Sequence, residues 1–341
     1  MKGHIAYGRF TDDKWQEHFT SIGNKYAIDV LYHSKSLFAK VGNKEHFPVE
    51  FEGGIQMSAQ FGGDQYIAGQ KEPVIDMPTR FVDFMRVLVP MAGDDTTPEG
   101  EQVNIYGNHV GSWNFASTAY LNRWKVKIYY EHYFDDHSQM FFQYGRWKDG
   151  HIGLEITFPK NRFIDTFVYE GLGTKDQTGP MLYDSFWGEF EEQISAKDNY
   201  SLKDHDQKII ENQYFYQGWQ HWGMGIGNPL LPGPIYNKNG QITFISNRVL
   251  AHHIGFCGSP CQSLSYRMLL SYSRHWGTYD NPLNEIKKQF NSLFEVTYAP
   301  QQLKGWSFTV SGAMDRGSML GNNYGGMLVI RKQGIIKSGN K

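Results

Sequence analysis

The sequence predicts an all-β fold, a transmembrane antiparallel β-barrel of about 14 or more strands with an in-folded loop that plugs its lumen. Apolar and polar residues alternate with a period of two along most of the chain. Many of these runs are long enough to cross a bilayer at a tilt. Aromatic residues make up 16% of the chain, and several stand where the runs end. We expect the 341 residues to form a single domain.

Each alternating run has one apolar and one polar face. Ile128 is on the face opposite Lys127, and Met268 is on the face opposite Ser271. The clearest runs are residues 124–134, 151–158, 264–276, 290–298 and 306–314. Weaker runs are residues 5–10, 26–34, 49–61, 80–89, 106–121, 162–170, 183–194, 241–256 and 322–332. Residues 12–22 and 281–288 are each expected to form either a short helix or a loop.

Two architectures accommodate such strands. A soluble fold would pack the apolar faces against each other, whereas a membrane barrel would turn them outward to lipid. Trp124, Tyr298 and Trp306 stand at the ends of runs, where the aromatic girdle of a membrane barrel is found. We therefore favour the barrel, in the outer membrane of a bacterial cell.

Residues 217–236 begin as the end of an alternating run, but their second part, residues 223–236, cannot form a regular strand. Glycines free the backbone and prolines remove hydrogen-bond donors, yet the stretch also contains Ile226, Leu230 and Leu231, which a solvated loop would not need. This stretch is expected to fold back into the barrel and bury itself there as the plug.

The start of the chain and its cysteines leave alternatives open. No signal peptide precedes the first alternating run. A cytosolic protein is one interpretation, but we favour the other, in which the natural N-terminus, and with it some N-terminal strands, is missing from this sequence. Cys257 and Cys261 are the only cysteines, and they could form a local disulfide or remain free thiols. The net charge of −2 gives no indication of nucleic-acid binding.

Several segments resemble the capsule assembly Wzi family, in the version found in Bacteroidetes. The string Tyr-Phe-Tyr-Gln-Gly-Trp-Gln-His-Trp-Gly at residues 214–223 carries this resemblance, together with residues 226–231, 247–255, 274–279 and 320–325. The resemblance implies an outer-membrane barrel with a blocked lumen that binds capsular polysaccharide at the cell surface and assists capsule assembly or attachment. It implies no enzymatic activity.

Two groups of residues are candidates for polysaccharide binding. Aromatic faces stack on sugar rings, and planar polar groups bond sugar hydroxyls. The candidates are Trp219, His221, Trp222, Arg248, His252, Arg274 and Trp276. Structural roles are the alternative: the aromatics could wedge the loop or form part of the girdle, and a luminal Arg248 could pair with Glu189 or Glu191.

Catalysis is not indicated by the sequence. The acid pairs Asp135-Asp136 and Glu191-Glu192 do not supply two carboxylates across a cleft. We find no nucleophile elbow, phosphate-binding loop or zinc-protease motif. No metal or cofactor is expected, and the expected partners are capsular polysaccharide and outer-membrane lipid, with the protein as a monomer. A porin-like solute channel and, less favoured, a soluble all-β carbohydrate-active enzyme are the alternatives.

Overall fold

The structure is a computed structural model that describes residues 1–42, 47–98, 101–102, 105–134, 140, 149–175, 218–278 and 282–334. Most described strands belong to one antiparallel sheet of 12 strands. In sheet order these strands are β1 (Lys2–Arg9), β3 (Leu31–Val41), β4 (Val49–Phe61), β7 (Asn108–Leu121), β8 (Trp124–Phe134), β9 (Gly150–Thr157), β10 (Thr166–Gly173), β13 (Val249–Cys261), β14 (Leu264–Gly277), β15 (Pro282–Tyr298), β16 (Trp306–Gly317) and β17 (Asn323–Lys332).

The remaining elements lie in the connections. Strands β2 (Lys25–Ile28), β5 (Gly63–Ile67) and β6 (Ile75–Met77) form a small sheet, and β11 (Gln220–His221) pairs with β12 (Met224–Gly225). The helices whose bounds lie within the described residues are α1 (Asp13–Phe19), α2 (Phe81–Leu88) and a 3-10 turn at Pro234–Tyr236. The all-β antiparallel fold class is therefore confirmed. No helix among these is long and apolar enough to cross a membrane.

The two ends of the large sheet differ. At one end, strands are joined by the short stretches 122–123, 158–165, 262–263 and 299–305. The opposite end carries the long connections 10–30, 62–107 and 174–248. This asymmetry is typical of outer-membrane barrels, in which the short turns face the periplasm and the long loops face outward.

The large sheet curves around residues 218–247, which we call the plug loop. Gln60 of β4 donates a hydrogen bond from Nε2 to the Gly218 carbonyl, and Trp219 contacts the ring of Tyr32 on β3. A few residues further on, Asn228 lines a cavity together with Asn291 of β15.

That curvature follows from the spacing of the strands. Strands β3 and β15 are eight neighbours apart in the sheet, which would separate them by roughly 40 Å if the sheet were flat. The plug loop is too compact to span that distance, because the Ile226 N–H donates to the Trp219 carbonyl at 2.8 Å. The sheet therefore wraps the loop as a barrel wall does.

The face of the sheet that contacts the plug loop is called the inner face, and the opposite one the outer face. The inner face bears charged pairs such as Lys125–Glu155 and Arg267–Glu295. On the outer face, large apolar side chains are exposed on strand after strand. They include Leu37, Phe51, Phe115, Ile128, Ile152, Ile254, Tyr272, Phe294 and Val310. The predicted apolar face thus points away from the lumen. Among the described residues, it is covered mainly at one end of β1, β3 and β4, where helix α2 and the rest of the connection 62–107 pack on it.

The packed core of the protein is at the end with the long connections. Phe61, Met77, Val87 and Tyr106 are buried there, between the sheet and the connection 62–107. The small sheet and helix α2 therefore belong to the main body of the protein and are anchored to the wall through apolar burial.

Residues 80–89 form helix α2, and the strand predicted for this stretch was wrong. The apolar residues of this stretch recur at spacings of three and four, as in a helix. A capping box also fixes its start, where the Arg80 backbone N–H donates to the Asp83 carboxylate at 2.8 Å.

Three further expectations have outcomes in the described residues. Residues 281–288 were expected to be a helix or a loop, but from Pro282 onward they extend β15. Residues 241–256 were expected to be a strand, but β13 begins only at Val249, because the preceding segment belongs to the plug loop.

Cys257 and Cys261 are free thiols. The strand predicted for residues 183–194 lies outside the described residues.

Candidate functional site

Glycines give the plug loop its close packing. Gly223 has a φ of +73°, and a Cβ at this position would lie 2.5 Å from the indole of Trp15. Gly233 passes so close to the backbone of Gly223 that a Cβ there would overlap its carbonyl oxygen. The Ile235 N–H donates to that same carbonyl at 2.9 Å. Larger residues at either glycine would push the two limbs of the loop apart.

Trp222 has a strained backbone that the neighbouring residues hold in place. Its φ is +52°, which is uncommon for a residue with a bulky side chain. The Trp222 N–H donates to the carboxylate of Asp12 at 3.0 Å, and Gln220 donates to the same carboxylate at 3.3 Å. Gln220 in turn accepts a 2.7 Å hydrogen bond from the Gly223 N–H. Strain of this kind is found where a structure fixes a functional side chain.

The Trp222 ring forms an aromatic platform with His221. The two rings are stacked with centroids 5.0 Å apart and an interplanar angle of 21°. The indole N–H donates to the Thr11 carbonyl at 3.3 Å, and the Thr11 hydroxyl lies 3.1 Å from Nε2 of His221. Trp222 is 49% exposed, so solvent reaches one part of its ring. We call Thr11, Asp12, His221 and Trp222 the Trp222 platform.

The other predicted tryptophan of this string has a structural position. Trp219 makes an edge contact with Tyr32 on the inner face of the wall. Its indole nitrogen is buried, and no hydrogen-bond partner for it is found among the described residues. Trp219 therefore wedges the plug loop against the wall, as the alternative interpretation of the sequence held.

A second cluster lies where β13 and β14 meet the long connections. The guanidinium of Arg274 lies 5.0 Å from the ring of Trp276, and the Lys175 amine lies 5.4 Å from the same ring. Arg248 is largely buried and donates from Nε to the Lys175 carbonyl at 2.9 Å. The structure thus brings together three predicted residues, Arg248, Arg274 and Trp276. Glu189 and Glu191, the predicted partners of Arg248, lie outside the described residues.

His252 is on the outer face of β13, in the row of Leu250 and Ile254, and not in the lumen. Its Nδ1 lies 2.8 Å from the hydroxyl of Tyr169 on the neighbouring strand. The next residue, His253, is the one on the inner face, where its Nδ1 lies 2.7 Å from the Ser271 hydroxyl. Alternation of strand residues separates the two histidines, and the apolar neighbours of His252 were the signal for its outward position.

A cavity of about 440 Å³, lined by both polar and apolar side chains, lies between the plug loop and the inner face. Its wall is rich in hydroxyl, amide and imidazole groups, which suit a polyhydroxylated ligand or water. Among the lining residues are Asn228 of the plug loop and, on the wall, His253, Ser271, Ser273, Gln289 and Asn291. None of the predicted polysaccharide-binding residues is among the described residues that line this cavity.

A charged network lines a neighbouring cavity of about 420 Å³. His151 lies between Glu131 and Glu170, with closest nitrogen–oxygen distances of 3.7 Å and 3.5 Å. The Tyr133 hydroxyl donates to Glu131, and the Tyr129 hydroxyl donates to Glu170. This network was missed because its members come from three different strands. The acid pairs 135–136 and 191–192 lie outside the described residues.

Metal binding has no geometric basis in the described part of the chain. There, no three His, Cys, Asp or Glu side chains are grouped so that they could hold a metal ion. The Trp222 platform offers ring stacking and hydrogen bonding by this chain's own groups.

Fold and site together define a class: a strand-walled protein whose interior holds a long loop. No family model and no curated protein sequence matches the chain. Among solved structures, it is similar to Wzi of Escherichia coli, described as a carbohydrate-binding outer-membrane β-barrel involved in group 1 capsule assembly. That likeness has 11% identity and a TM-score of 0.38, and it covers 96% of this chain but only 61% of the length of Wzi.

Two further structures show a comparable degree of likeness. A variant of OccD1 (OprD) is 9% identical with a TM-score of 0.34, over 96% of this chain and 93% of that one. The outer membrane protein OprD from Pseudomonas aeruginosa is 10% identical with a TM-score of 0.33, over 97% and 91% of the two chains. Likenesses this weak assign neither a family nor a function.

Proposed function

We propose that this chain is a bacterial outer-membrane barrel protein that binds capsular or exopolysaccharide at the cell surface and assists capsule assembly or attachment. The membrane part of the proposal rests on the outer face, where exposed apolar side chains recur on successive strands, and on the charged inner face. A water-soluble protein would have to leave that contiguous apolar surface in water, at high cost.

The observation that carries polysaccharide binding is the position of Trp222. It is half-exposed, held in a strained backbone conformation by Asp12, and located where β1 leads into a long connection. In a membrane barrel that end of the sheet faces the cell exterior. The platform therefore presents an aromatic ring to material outside the cell.

The chemistry of the platform suits a sugar. The exposed part of the indole can take the apolar face of a pyranose ring, as aromatic rings combine a large apolar surface with little conformational freedom. The neighbouring imidazole of His221 and the hydroxyl of Thr11 supply donors and acceptors for sugar hydroxyls. The resemblance of residues 214–223 to the Wzi family points to the same class of partner. No catalytic step is part of this proposal.

Binding of purified capsular polysaccharide to the detergent-solubilised full chain tests the proposal. We expect Trp222→Ala to weaken binding at least tenfold. Trp306→Ala, at an aromatic residue of the opposite end, is the matched control and should leave affinity unchanged. Equal affinities for the parent and Trp222→Ala across a panel of acidic and neutral capsular polysaccharides would contradict the proposal.

A porin-like channel is the second candidate, favoured by the charged network around His151 and by the cavity that it lines. Conduction needs a continuous wet path, and the plug loop obstructs the lumen. Large, steady currents from the purified full chain in planar bilayers would favour the channel. Absence of such currents, together with polysaccharide binding, would favour the first candidate.

A further inference from the structure

Helix α2 lies on the outer face of the wall and exposes apolar side chains there. It contacts outer-face residues of β1 and β3, namely Tyr7 and Lys35. Phe81 is 81% exposed, and Met85 and Val82 are also exposed. The polar residues Asp83 and Arg86 are on the opposite side, with Asp83 fully buried. The helix is therefore oriented with its apolar side outward, the reverse of a helix on a water-soluble protein.

Several hydrogen bonds fix the helix to the wall. The Lys35 amine donates to the carbonyls of Val87 and Leu88 at 2.9 and 2.5 Å, at the C-terminal end of the helix where cations are favoured. The Tyr7 hydroxyl donates to the Phe84 carbonyl at 2.9 Å. Because the middle and the C-terminal end of the helix are held, the space between helix and wall has a defined shape.

That space is an apolar groove of about 520 Å³, lined by Tyr7, Phe81, Phe84, Met85 and Leu88. Among these five side chains the sole polar atom is the Tyr7 hydroxyl oxygen, whose hydrogen is already used in the bond to Phe84. A sugar or an ion would lose its hydration in the groove without gaining partners. An aliphatic chain makes no hydrogen bonds to water, so it would enter the groove without this loss of hydration.

We propose that the groove between α2 and β1 binds one acyl chain of a membrane lipid of the outer leaflet. This inference rests on the membrane part of the proposed function and adds a specific lipid site to it. The groove is continuous with the outer face, because Ile5 is on the same face of β1 as Tyr7, and Leu37 follows Lys35 on that face of β3. The occupant is therefore the lipid that surrounds the wall.

The position of helix α2 indicates that the bound lipid belongs to the outer leaflet. Helix α2 belongs to the connection 62–107, at the sheet end that carries the long loops. In an outer-membrane barrel that end is next to the outer leaflet. Phe81, Val82 and Met85 are the most exposed apolar side chains of the helix. An acyl chain in the groove would cover Phe81 and Met85.

Photo-crosslinking tests the inference. The full chain is reconstituted into phosphatidylcholine vesicles doped with a phosphatidylcholine that carries a diazirine on one acyl chain, and crosslinked residues are mapped by mass spectrometry. We expect crosslinks at Phe81, Met85 and Leu88 to be at least fivefold denser than at Phe294 and Val310 of the outer face. Met85→Trp, which fills the groove, should reduce crosslinks at the other groove residues at least fivefold. Val310→Trp, the matched control on β16, should leave them unchanged.

The outcomes separate this inference from the proposed function. A chain that floats with the vesicles but is crosslinked uniformly over groove and outer face would overturn the acyl-chain site alone. A chain that fails to float would overturn the membrane part of the proposed function and the site with it.

Discussion

Asp12 accepts a hydrogen bond from the backbone N–H of Trp222, although the two residues are 210 positions apart in the chain. Asp12 is buried, and the Trp222 backbone is in the left-handed region. The first long connection and the plug loop are thereby joined at the residue that presents the exposed indole. The aromatic platform depends on this contact.

Removal of the Asp12 carboxylate should therefore loosen the plug loop. In Asp12→Ala the Trp222 N–H loses its acceptor, and an unsatisfied buried donor costs about 1–3 kcal/mol. We expect the free energy of unfolding in detergent to fall by that amount and polysaccharide affinity to fall with it. Glu17→Ala, at an exposed residue of α1, is the control and should change neither quantity. Unchanged polysaccharide affinity in a stable Asp12→Ala protein would show that Asp12 does not contribute to binding.

The assignment of the two faces is tested on a single strand. Met268 is on the outer face of β14 and Ser271 is on the inner face, where it contacts His253. Met268→Arg should cost about 2–4 kcal/mol of stability if the residue is near the bilayer midplane. Ser271→Arg should cost less, because that side chain faces the interior cavity beside His253 and not the lipid. Urea unfolding of both variants in vesicles provides the comparison, and equal costs would contradict the assignment.

Lys35 is predicted to hold helix α2 against the wall. Lys35→Met keeps most of the aliphatic stem but removes both hydrogen bonds to the helix carbonyls, and we expect a loss of about 1–3 kcal/mol. Hydrogen exchange of residues 81–89 should accelerate in this variant. Lys40→Met, on the same strand but paired with Glu50, is the control and should leave exchange in the helix unchanged. Identical protection in both variants would show that the helix is held by other contacts.

The long connection between α2 and β7 should respond to pH. Burial raises the pKa of Glu101 to about 7, although the Gly107 N–H donates to its carboxylate. The folded state therefore binds this proton more tightly than the unfolded state, and stability should fall as pH rises from about 4.5 to about 7. The effect has an upper bound of about 3 kcal/mol, at about 1.36 kcal/mol per pKa unit.

Thermal unfolding in detergent at pH 5 and pH 8 measures this pH effect. Glu101→Gln should lose most of the difference between the two pH values, whereas Asp95→Asn, at an exposed residue of the same connection, should retain it. A parent protein that is equally stable at both values would contradict the assignment to Glu101.

Strand positions were predictable where one face of the strand is mainly apolar along its length and the other face is largely polar. The bounds of β4 and β8 match the predicted runs at 49–61 and 124–134, because their outer faces are apolar and their inner faces are largely polar. The helix within residues 80–89 was missed because a short, largely apolar stretch can be either a strand or a helix, and its sequence alone does not distinguish the two. Here the apolar residues serve both to pack against the wall and to face outward.

The candidate site was predictable only in part. The aromatic string at residues 219–222 stood out in the sequence, but the residues that position it did not. Thr11 and Asp12 reach it only through the fold, and no local pattern marks them. Likewise, His252 was a predicted binding residue and His253 was not, although His253 is the one on the inner face. Their different surroundings depend on which face of β13 is outside. Contacts between distant strands cannot be inferred from local alternation alone.

The most direct test of the membrane assignment is where the chain resides when it is expressed in a Gram-negative host behind an added export signal. The account predicts that it sediments with the outer-membrane fraction, resists an alkaline carbonate wash and is extracted only by detergent, because the outer face is covered by lipid. Recovery of folded protein in the aqueous fraction without detergent would contradict the account. The apolar side chains of the wall would then need another partner, and the polysaccharide proposal would lose its membrane anchor.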